Sequence, residues 1–207
     1  MKRALVFVLV LFSITGFSQS PLQAKLYFKN GMTRTGYANF VGGNVRNNIH
    51  FRKDFNSTKV EKIHSDSLKK IVYFNDEEKH VFYYLGVYKG AKKNKSSKPN
   101  WVKLEQKGYV SLFATTGYVN AGSMTNYANI KFQDYYLKRK DEHALTYYFT
   151  RGGIFPNFHF RNRSKRRFAD YPELIKKIEN NKYLIDDYKE VVRLYSDWLE
   201  SKHIKNN

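Results

Sequence analysis

The chain has 207 residues, a length typical of one domain with or without an appendage, and its 37 Lys and Arg against 18 Asp and Glu give a net charge of +19. Aromatic residues make up 17% of the chain, which argues against a wholly disordered protein. Four Pro and 12 Gly exclude a collagen-like composition, and the absence of Cys excludes disulfides, thiolate metal sites, a cysteine nucleophile and a lipid-anchored cysteine.

The first 18 residues have the features of a secretory signal peptide. Lys2 and Arg3 precede an apolar run at residues 4–14, and the small residues Gly16 and Ser18 stand where a signal peptidase reads. The run is shorter than the about 20 residues that a membrane-spanning helix needs. We therefore expect cleavage after residue 18 and an exported protein, periplasmic or secreted, with no lipid anchor and no transmembrane span in the mature chain. An ordinary buried helix or strand is the alternative.

Residues 19–160 predict a β-rich domain. Ala24, Leu26 and Phe28 alternate with polar residues, the period of a half-buried strand, and Asn30-Gly31 then predicts a hairpin with a positive φ at both positions. Further strands, rich in Val, Ile, Tyr, Phe and Thr, are predicted at residues 32–40, 49–52, 59–64, 70–74, 81–87, 101–104, 109–115, 130–139 and 145–150. Many short strands joined by turns favour an antiparallel β-sandwich or barrel-like domain.

Residues 161–207 predict a helical segment packed on that domain. Pro172 suits the first turn of a helix, and Asp186 is a candidate N-cap for the last one. The last helix carries an apolar stripe of period 3.6 at Tyr188, Val191, Val192, Tyr195, Trp198 and Leu199. Such a stripe is more typical of a helix packed on its own protein than of a binding helix. The expected fold class is therefore α+β, with two or three C-terminal helices.

A family resemblance lies in the same segment. Phe168–Ile178 (FADYPELIKKI) resembles the C-terminal part of a group of uncharacterised secreted Bacteroidetes proteins, in which an F-x-D-C-P-x-L-x-x-K-I stretch precedes a helix that ends in a Tyr-Asn pair. Tyr171 replaces the Cys of that pattern, and Ser196 replaces the Asn. Asn30-Gly31 resembles part of the first hairpin of the same proteins. The resemblance implies an exported, β-rich protein with a C-terminal helical segment, and it implies no activity.

Motifs for catalysis or cofactor binding are missing from the sequence. It has no G-x-S-x-G, no H-E-x-x-H, no phosphate-binding glycine loop and no calcium loop. No His has a second His at a spacing typical of metal ligands, although His64 and His80 could meet on neighbouring strands. Asp76-Glu77-Glu78 is explained better by a solvated turn than by a metal. We therefore predict no catalytic residue, no metal site and no cofactor, while carboxylates brought together from separate strands would leave no sequence signal.

One tripeptide suggests a modification. Asp66-Ser67-Leu68 is similar to the D-S/T-apolar tripeptide that Bacteroidetes secretory proteins use for O-glycosylation. An Asp-Ser turn explains the same three residues. Ser67 is therefore a candidate glycosylation site with a structural alternative.

The positive charge is concentrated in the β-rich part and its junction with the helices. Two clusters stand out, at residues 89–98 and at residues 161–167. The candidate anion-binding residues in them are Lys92, Lys93, Lys95, Arg161, Arg163, Lys165, Arg166 and Arg167. Arg can clamp phosphate or carboxylate through two parallel hydrogen bonds, whereas Lys acts as a point charge. The functional interpretation is contact with an anionic envelope polymer or lipid headgroups, and the alternative is a merely solvated basic surface.

These observations favour a non-enzymatic binding or structural protein of the cell envelope. The alternative is a hydrolase that acts on an envelope polymer. A deep cleft with facing carboxylates would favour that alternative. Binding of extracellular DNA shares the charge argument but has no motif behind it, so we predict no specific nucleic-acid partner.

Overall fold

The computed structural model describes residues 21–42, 47–75, 78–88, 97–121, 128–152 and 155–205. The predicted signal peptide, residues 1–18, lies outside the described residues. So do Lys92, Lys93 and Lys95 of the first basic cluster. Both predictions therefore stay predictions.

In the described ranges of the chain, ten antiparallel strands form one sheet. The strands are β1 (Leu22–Phe28), β2 (Thr33–Ala38), β3 (Asn48–Arg52), β4 (Glu61–His64), β5 (Leu68–Asn75), β6 (Glu78–Leu85), β7 (Asn100–Gln106), β8 (Val110–Ala121), β9 (Ala128–Arg139) and β10 (Thr146–Arg151). Their order across the sheet is β10-β9-β8-β7-β6-β5-β1-β2-β3-β4. Every strand predicted from the sequence overlaps one of these, and the mostly antiparallel α+β fold class is confirmed.

The first hairpin forms where expected, but with a different turn. The backbone N–H of Gly31 donates to the carbonyl of Phe28 at 3.2 Å, so the tight turn is centred on Lys29 and Asn30. Gly31 has a φ of +90°, whereas Asn30 is not among the residues with positive φ. The expectation of two left-handed residues was wrong, because this is a three-residue loop in which only the last position needs glycine. Asn30 instead accepts a hydrogen bond on its side chain from the N–H of Met32 at 3.1 Å.

The first part of the sheet curls around an apolar core, which we call the first core. Alternate residues of β1, β5, β6 and β7 supply it, among them Leu26, Ile71, Phe82 and Trp101. The indole N–H of Trp101 donates to the hydroxyl of Ser65 at 3.1 Å, which links the end of β4 to β7. The sheet therefore folds back on itself over this half.

The second part of the sheet curls the opposite way around a smaller core, the second core. Val102 and Phe113 are buried there, and Leu145 covers them. The chain after β6 meets the segment before β10, because the N–H of Leu145 donates to Gly86 and the N–H of Tyr88 donates to Leu145, both at 2.8 Å. These bonds fasten β6 to the far edge of the sheet.

Three α-helices of the described C-terminal part, residues 155–205, cover the other face of β8–β10. They are α1 (Pro156–Arg167), α2 (Pro172–Glu179) and α3 (Tyr188–Lys205). Residues 156–160, which the sequence pattern placed in the β-rich part, belong to α1. Phe160 of α1 is buried against the sheet, whereas Phe158 is exposed.

The predicted stripe of the last helix packs on the protein. Val191, Val192 and Tyr195 are buried in the core that α1, α2 and α3 share with β8–β10, and Leu199 is 8% exposed. Trp198 is only partly buried and stacks on Tyr171, with ring centroids 4.5 Å apart. None of the helices in the described part of the chain is long and apolar enough to cross a membrane.

The predicted N-cap at Asp186 was wrong. Residues Ile185–Asp187 form a turn of 3-10 helix ahead of α3, and Asp187 accepts the N–H of Leu184 at 2.8 Å. Asp186 pairs with Arg151 at 2.6 Å instead. Asp186 therefore lies within the 3-10 turn and pairs with β10, rather than capping α3.

We predict that Leu199→Ala lowers the free energy of unfolding by ~2–5 kcal/mol, because the lost side chain leaves a cavity between α3 and the sheet. Ile204→Ala, on the same helix but with its side chain 72% exposed, is the control and should change little. Chemical denaturation measures both variants. Equal, small losses would mean that α3 is not docked through the face that carries Leu199.

Candidate functional site

The basic cluster at residues 161–167 lies on α1, and its side chains point in different directions. Arg161 hydrogen-bonds the side chain of Asn181, and Lys165 pairs with Glu179. Both contacts are directed toward α2 and the turn after it.

The remaining bases of α1 lie on other sides of the helix. The guanidinium of Arg163 lies 5.2 Å from the centre of the Tyr147 ring, and Arg167 donates to the carbonyl of Tyr147 at 2.8 and 3.2 Å. Burial lowers the pKa of Arg167. Arg166 is exposed. The structure therefore does not bring the five bases of α1 together on one surface. Anion binding by these residues stays a prediction.

Ser67 ends a single 3-10 turn, Ser65–Ser67, between β4 and β5. Its side chain is exposed, and its hydroxyl donates to the carbonyl of His64 at 2.7 Å. Leu68, the third residue of the tripeptide, is fully buried. The residues thus form the turn of the structural alternative, and glycosylation of Ser67 stays a prediction.

His64 and His80 do not lie on neighbouring strands. His64 lies at the edge strand β4 and His80 on β6, with four strands between them in the sheet. His64 lies 3.4 Å from Asp66, and His80 lies 3.6 Å from Glu78. Among the described residues no group of three His, Asp or Glu could hold a metal ion.

A large groove opens at one end of the second core. Its volume is about 930 Å³, and Tyr83, Leu104, Tyr109 and Phe113 supply aromatic and apolar lining. Among the described residues, its bases are Lys29, Lys69, Lys107, Lys138, Arg139 and Lys140, and Glu200 is its one acid. We call this feature the basic groove.

The fold explains how bases from distant parts of the chain reach the basic groove. Side chains alternate between the two faces of a strand, so Ser111 and Phe113 of β8 lie on one face, and Lys138 of β9 pairs across from Ser111. Lys107 lies in the turn between β7 and β8, and Lys29 lies in the first hairpin. Two turns and two strand ends therefore meet around the opening.

Most of the positive charge in the basic groove is uncompensated. Within the described part of the chain, no ion pair with a carboxylate involves Lys29, Lys69, Lys107 or Lys140. Arg139 differs, because it lies 3.6 Å from Asp170 and donates to the hydroxyl of Tyr195. The lysines are thus the groups that an anionic ligand would meet.

Tyr195 connects the wall of the basic groove to the helices. Its hydroxyl donates to both carboxylate oxygens of Asp170 at 2.9 Å. Burial first, and the negative charge of Asp170 in addition, raise the pKa of Tyr195 well above its ordinary value. The hydroxyl therefore stays protonated at neutral pH, and it holds Asp170 and Arg139 together as a fixed unit.

Ser196 fixes the other side of the groove. Its buried hydroxyl accepts the N–H of Val110 at 3.1 Å, joining α3 to the start of β8. A Cβ on Gly108 would lie 2.5 Å from that hydroxyl, so only glycine fits without movement of the turn. Because Gly108 and Tyr109 line the basic groove, this contact sets the position of its wall.

The basic groove leaves no local signal in the sequence. Its lysines are spread from Lys29 to Lys140, and none of them stands in the two charge runs. A run of like charges is visible in a sequence, whereas lysines that only the fold brings together are not. The pairing register of β8 with β9 would have been the signal, and it becomes known only with the fold.

Similarity to known proteins gives no information on the function of this chain, so a proposal must rest on its fold and on the basic groove. No family model matches the chain, and no curated protein or solved structure is significantly similar to it.

We predict that Ser196→Ala lowers the free energy of unfolding by ~1–3 kcal/mol, because it leaves the buried N–H of Val110 without its partner. Ser201→Ala, which removes an exposed hydroxyl from the same helix, is the matched control. Thermal or chemical unfolding of both variants measures the difference. Identical stabilities would show that the contact of Ser196 with β8 contributes nothing to the docking of α3.

Proposed function

We propose that the protein is an exported, non-enzymatic binding protein of the cell envelope and that its basic groove holds an anionic polymer. The observation that supports the proposal is the groove lining, which has six bases and one acid among the described residues. A cleft lined by one sign of charge, with apolar walls of low dielectric, concentrates ligands of the opposite sign.

The lysines suit a polymer better than a single bound headgroup. Lys29, Lys69, Lys107 and Lys140 carry flexible point charges rather than the planar fork of Arg. Such groups contact phosphate, sulfate or carboxylate groups in many orientations, which fits an extended chain with repeated charges. The rings of Tyr83 and Tyr109 offer apolar contact area between those charges.

Export is the second part of the proposal and rests on the amino-terminal residues. Lys2 and Arg3, the apolar run at residues 4–14 and the small residues after it are together typical of a signal peptide. The resemblance to secreted Bacteroidetes proteins supports the same location. An envelope compartment would supply anionic polymers as ligands.

The hydrolase alternative has less support. General acid and base catalysis by carboxylates needs two of them on either side of the reacting bond. Among the described residues that line the basic groove, Glu200 is the one carboxylate. We therefore propose binding without hydrolysis.

We predict that the mature protein begins at Gln19. The expected result is an N-terminal sequence of Gln-Ser-Pro from protein recovered from the periplasm or medium of the native host, because a signal peptidase would cut after Ser18. Protein that keeps Met1 in that fraction would contradict the proposed export route.

We predict that the quadruple variant Lys29→Glu, Lys69→Glu, Lys107→Glu and Lys140→Glu binds heparin at least about tenfold more weakly than the unmodified protein. Each exposed ion pair contributes ~0.2–1 kcal/mol, and reversal adds repulsion. Fluorescence anisotropy with a labelled heparin fragment measures the affinity at low salt. Affinity should also fall steeply with added salt, because the Debye length is only ~3 Å at 1 M.

The matched control reverses four exposed lysines outside the basic groove: Lys53, Lys62, Lys176 and Lys177. It changes the net charge by the same amount, so equal losses from the two sets would indicate a diffuse positive field and remove the groove proposal. A third set, Arg161→Glu, Arg163→Glu, Arg166→Glu and Arg167→Glu, tests the α1 cluster after its folding has been checked. If the groove lysines are needed for binding to anionic lipid vesicles but not for binding to heparin, a headgroup site is favoured instead of a polymer site.

A further inference from the structure

A second cavity lies on the same face of the sheet as the basic groove, beyond the middle of the second core. Its volume is about 270 Å³. Leu85, Val87 and Val102 form an apolar wall, and Asp134 of β9 lies opposite them. We call it the Asp134 cavity.

The carboxylate of Asp134 is held in place by hydroxyl groups. Thr150, its cross-strand neighbour on β10, donates to one carboxylate oxygen, and the hydroxyls of Thr150 and Tyr147 lie 2.7 Å apart. Tyr136 donates to the other oxygen over a long 3.5 Å contact. That second oxygen therefore retains capacity to accept a stronger hydrogen bond from a ligand.

Tyr136 contributes a neutral hydroxyl to this arrangement. Burial first, and then the negative charge of Asp134, raise the pKa of Tyr136 to about 12. The group stays protonated at neutral pH, so it donates to Asp134 and adds no second negative charge to the cavity.

The charge of the Asp134 cavity is opposite to that of the molecule. The chain carries +19, yet none of the described residues that line this cavity is Lys, Arg or His. A carboxylate inside a partly apolar cavity is costly unless a cation or a set of donors compensates it. Among the described residues, the side chains that donate to this carboxylate are the hydroxyls of Thr150 and Tyr136, and none of them carries a positive charge.

We infer that the Asp134 cavity binds a small organic monocation, a primary amine with a short apolar body. The ammonium group donates to Asp134, and the hydroxyl of Thr115, the cross-strand neighbour of Asp134 on β8, accepts another of its hydrogens. The alkyl part lies against Leu85 and Val102. Its ligand has the opposite charge to the polymer proposed for the basic groove, although Leu85 lines both cavities.

The test compares three probes of equal length: n-butylammonium, n-butanol and butyrate. Binding is followed by NMR chemical-shift changes of the full-length protein at neutral pH and moderate salt. We expect butylammonium to bind about tenfold more tightly than butanol, because a hydrogen bond to a charged group is stronger than a neutral one. Butyrate should not bind in this cavity. Equal affinities for the amine and the alcohol, or no binding of the amine, would overturn the inference without the need for any variant.

A variant locates the preference at Asp134. Asp134→Asn should remove the preference for the amine over the alcohol, whereas Asp141→Asn, an exposed acid in the turn before β10, should keep it. Unfolding curves check that both variants are folded. If Asp134→Asn keeps the preference, the cation binds elsewhere and the inference is wrong. Heparin binding should be unchanged in Asp134→Asn, which separates this test from the test of the basic groove.

Discussion

The alternation of side chains along β6 and β7 is the constraint on which the rest of the structure depends. Phe82 of β6 and Trp101 of β7 face the first core, while their chain neighbours Tyr83 and Val102 face the second. A strand sends successive side chains to opposite faces, so both faces of these two strands are apolar and both must be covered. The sheet satisfies this requirement by curling in one direction before β6 and in the other after β7.

The two cavities follow from the same geometry. Beyond β7, residues of one face point toward the second core, and that core is filled in the middle by Phe113 and Leu145. At one end the lining changes to Ser111 and Lys138 and becomes the basic groove. Toward the other end the lining changes to Thr115 and Asp134 and becomes the Asp134 cavity. A single alternating face therefore carries both charge environments, separated by apolar residues.

Strands were predictable because their signal is local, whereas the details that depend on packing were not. The alternation around Leu26 identifies β1 without knowledge of any neighbour, and the stripe that contains Val192 identifies the last helix in the same way. The turn at Asn30 could not be predicted as well, since loop length and not the dipeptide decides which residue has a positive φ. The start of α1 at Pro156 could not be predicted either, because only Phe160 and Ser164 of this helix are buried and its sequence has no apolar stripe.

The basic cluster on α1 shows why a run of charges is a poor guide to a site. Consecutive helical residues are rotated by about 100°, so a run of bases is distributed around the axis. Arg161 and Lys165 therefore reach the α2 side, while Arg163 and Arg167 reach Tyr147. Strand pairing has the opposite effect, because it brings residues that are distant in sequence to the same face. The fold brings Lys29, Lys107 and Lys140 to one groove from three separate turns, so a binding site in this sheet is more readily found from the fold than from local density of charge.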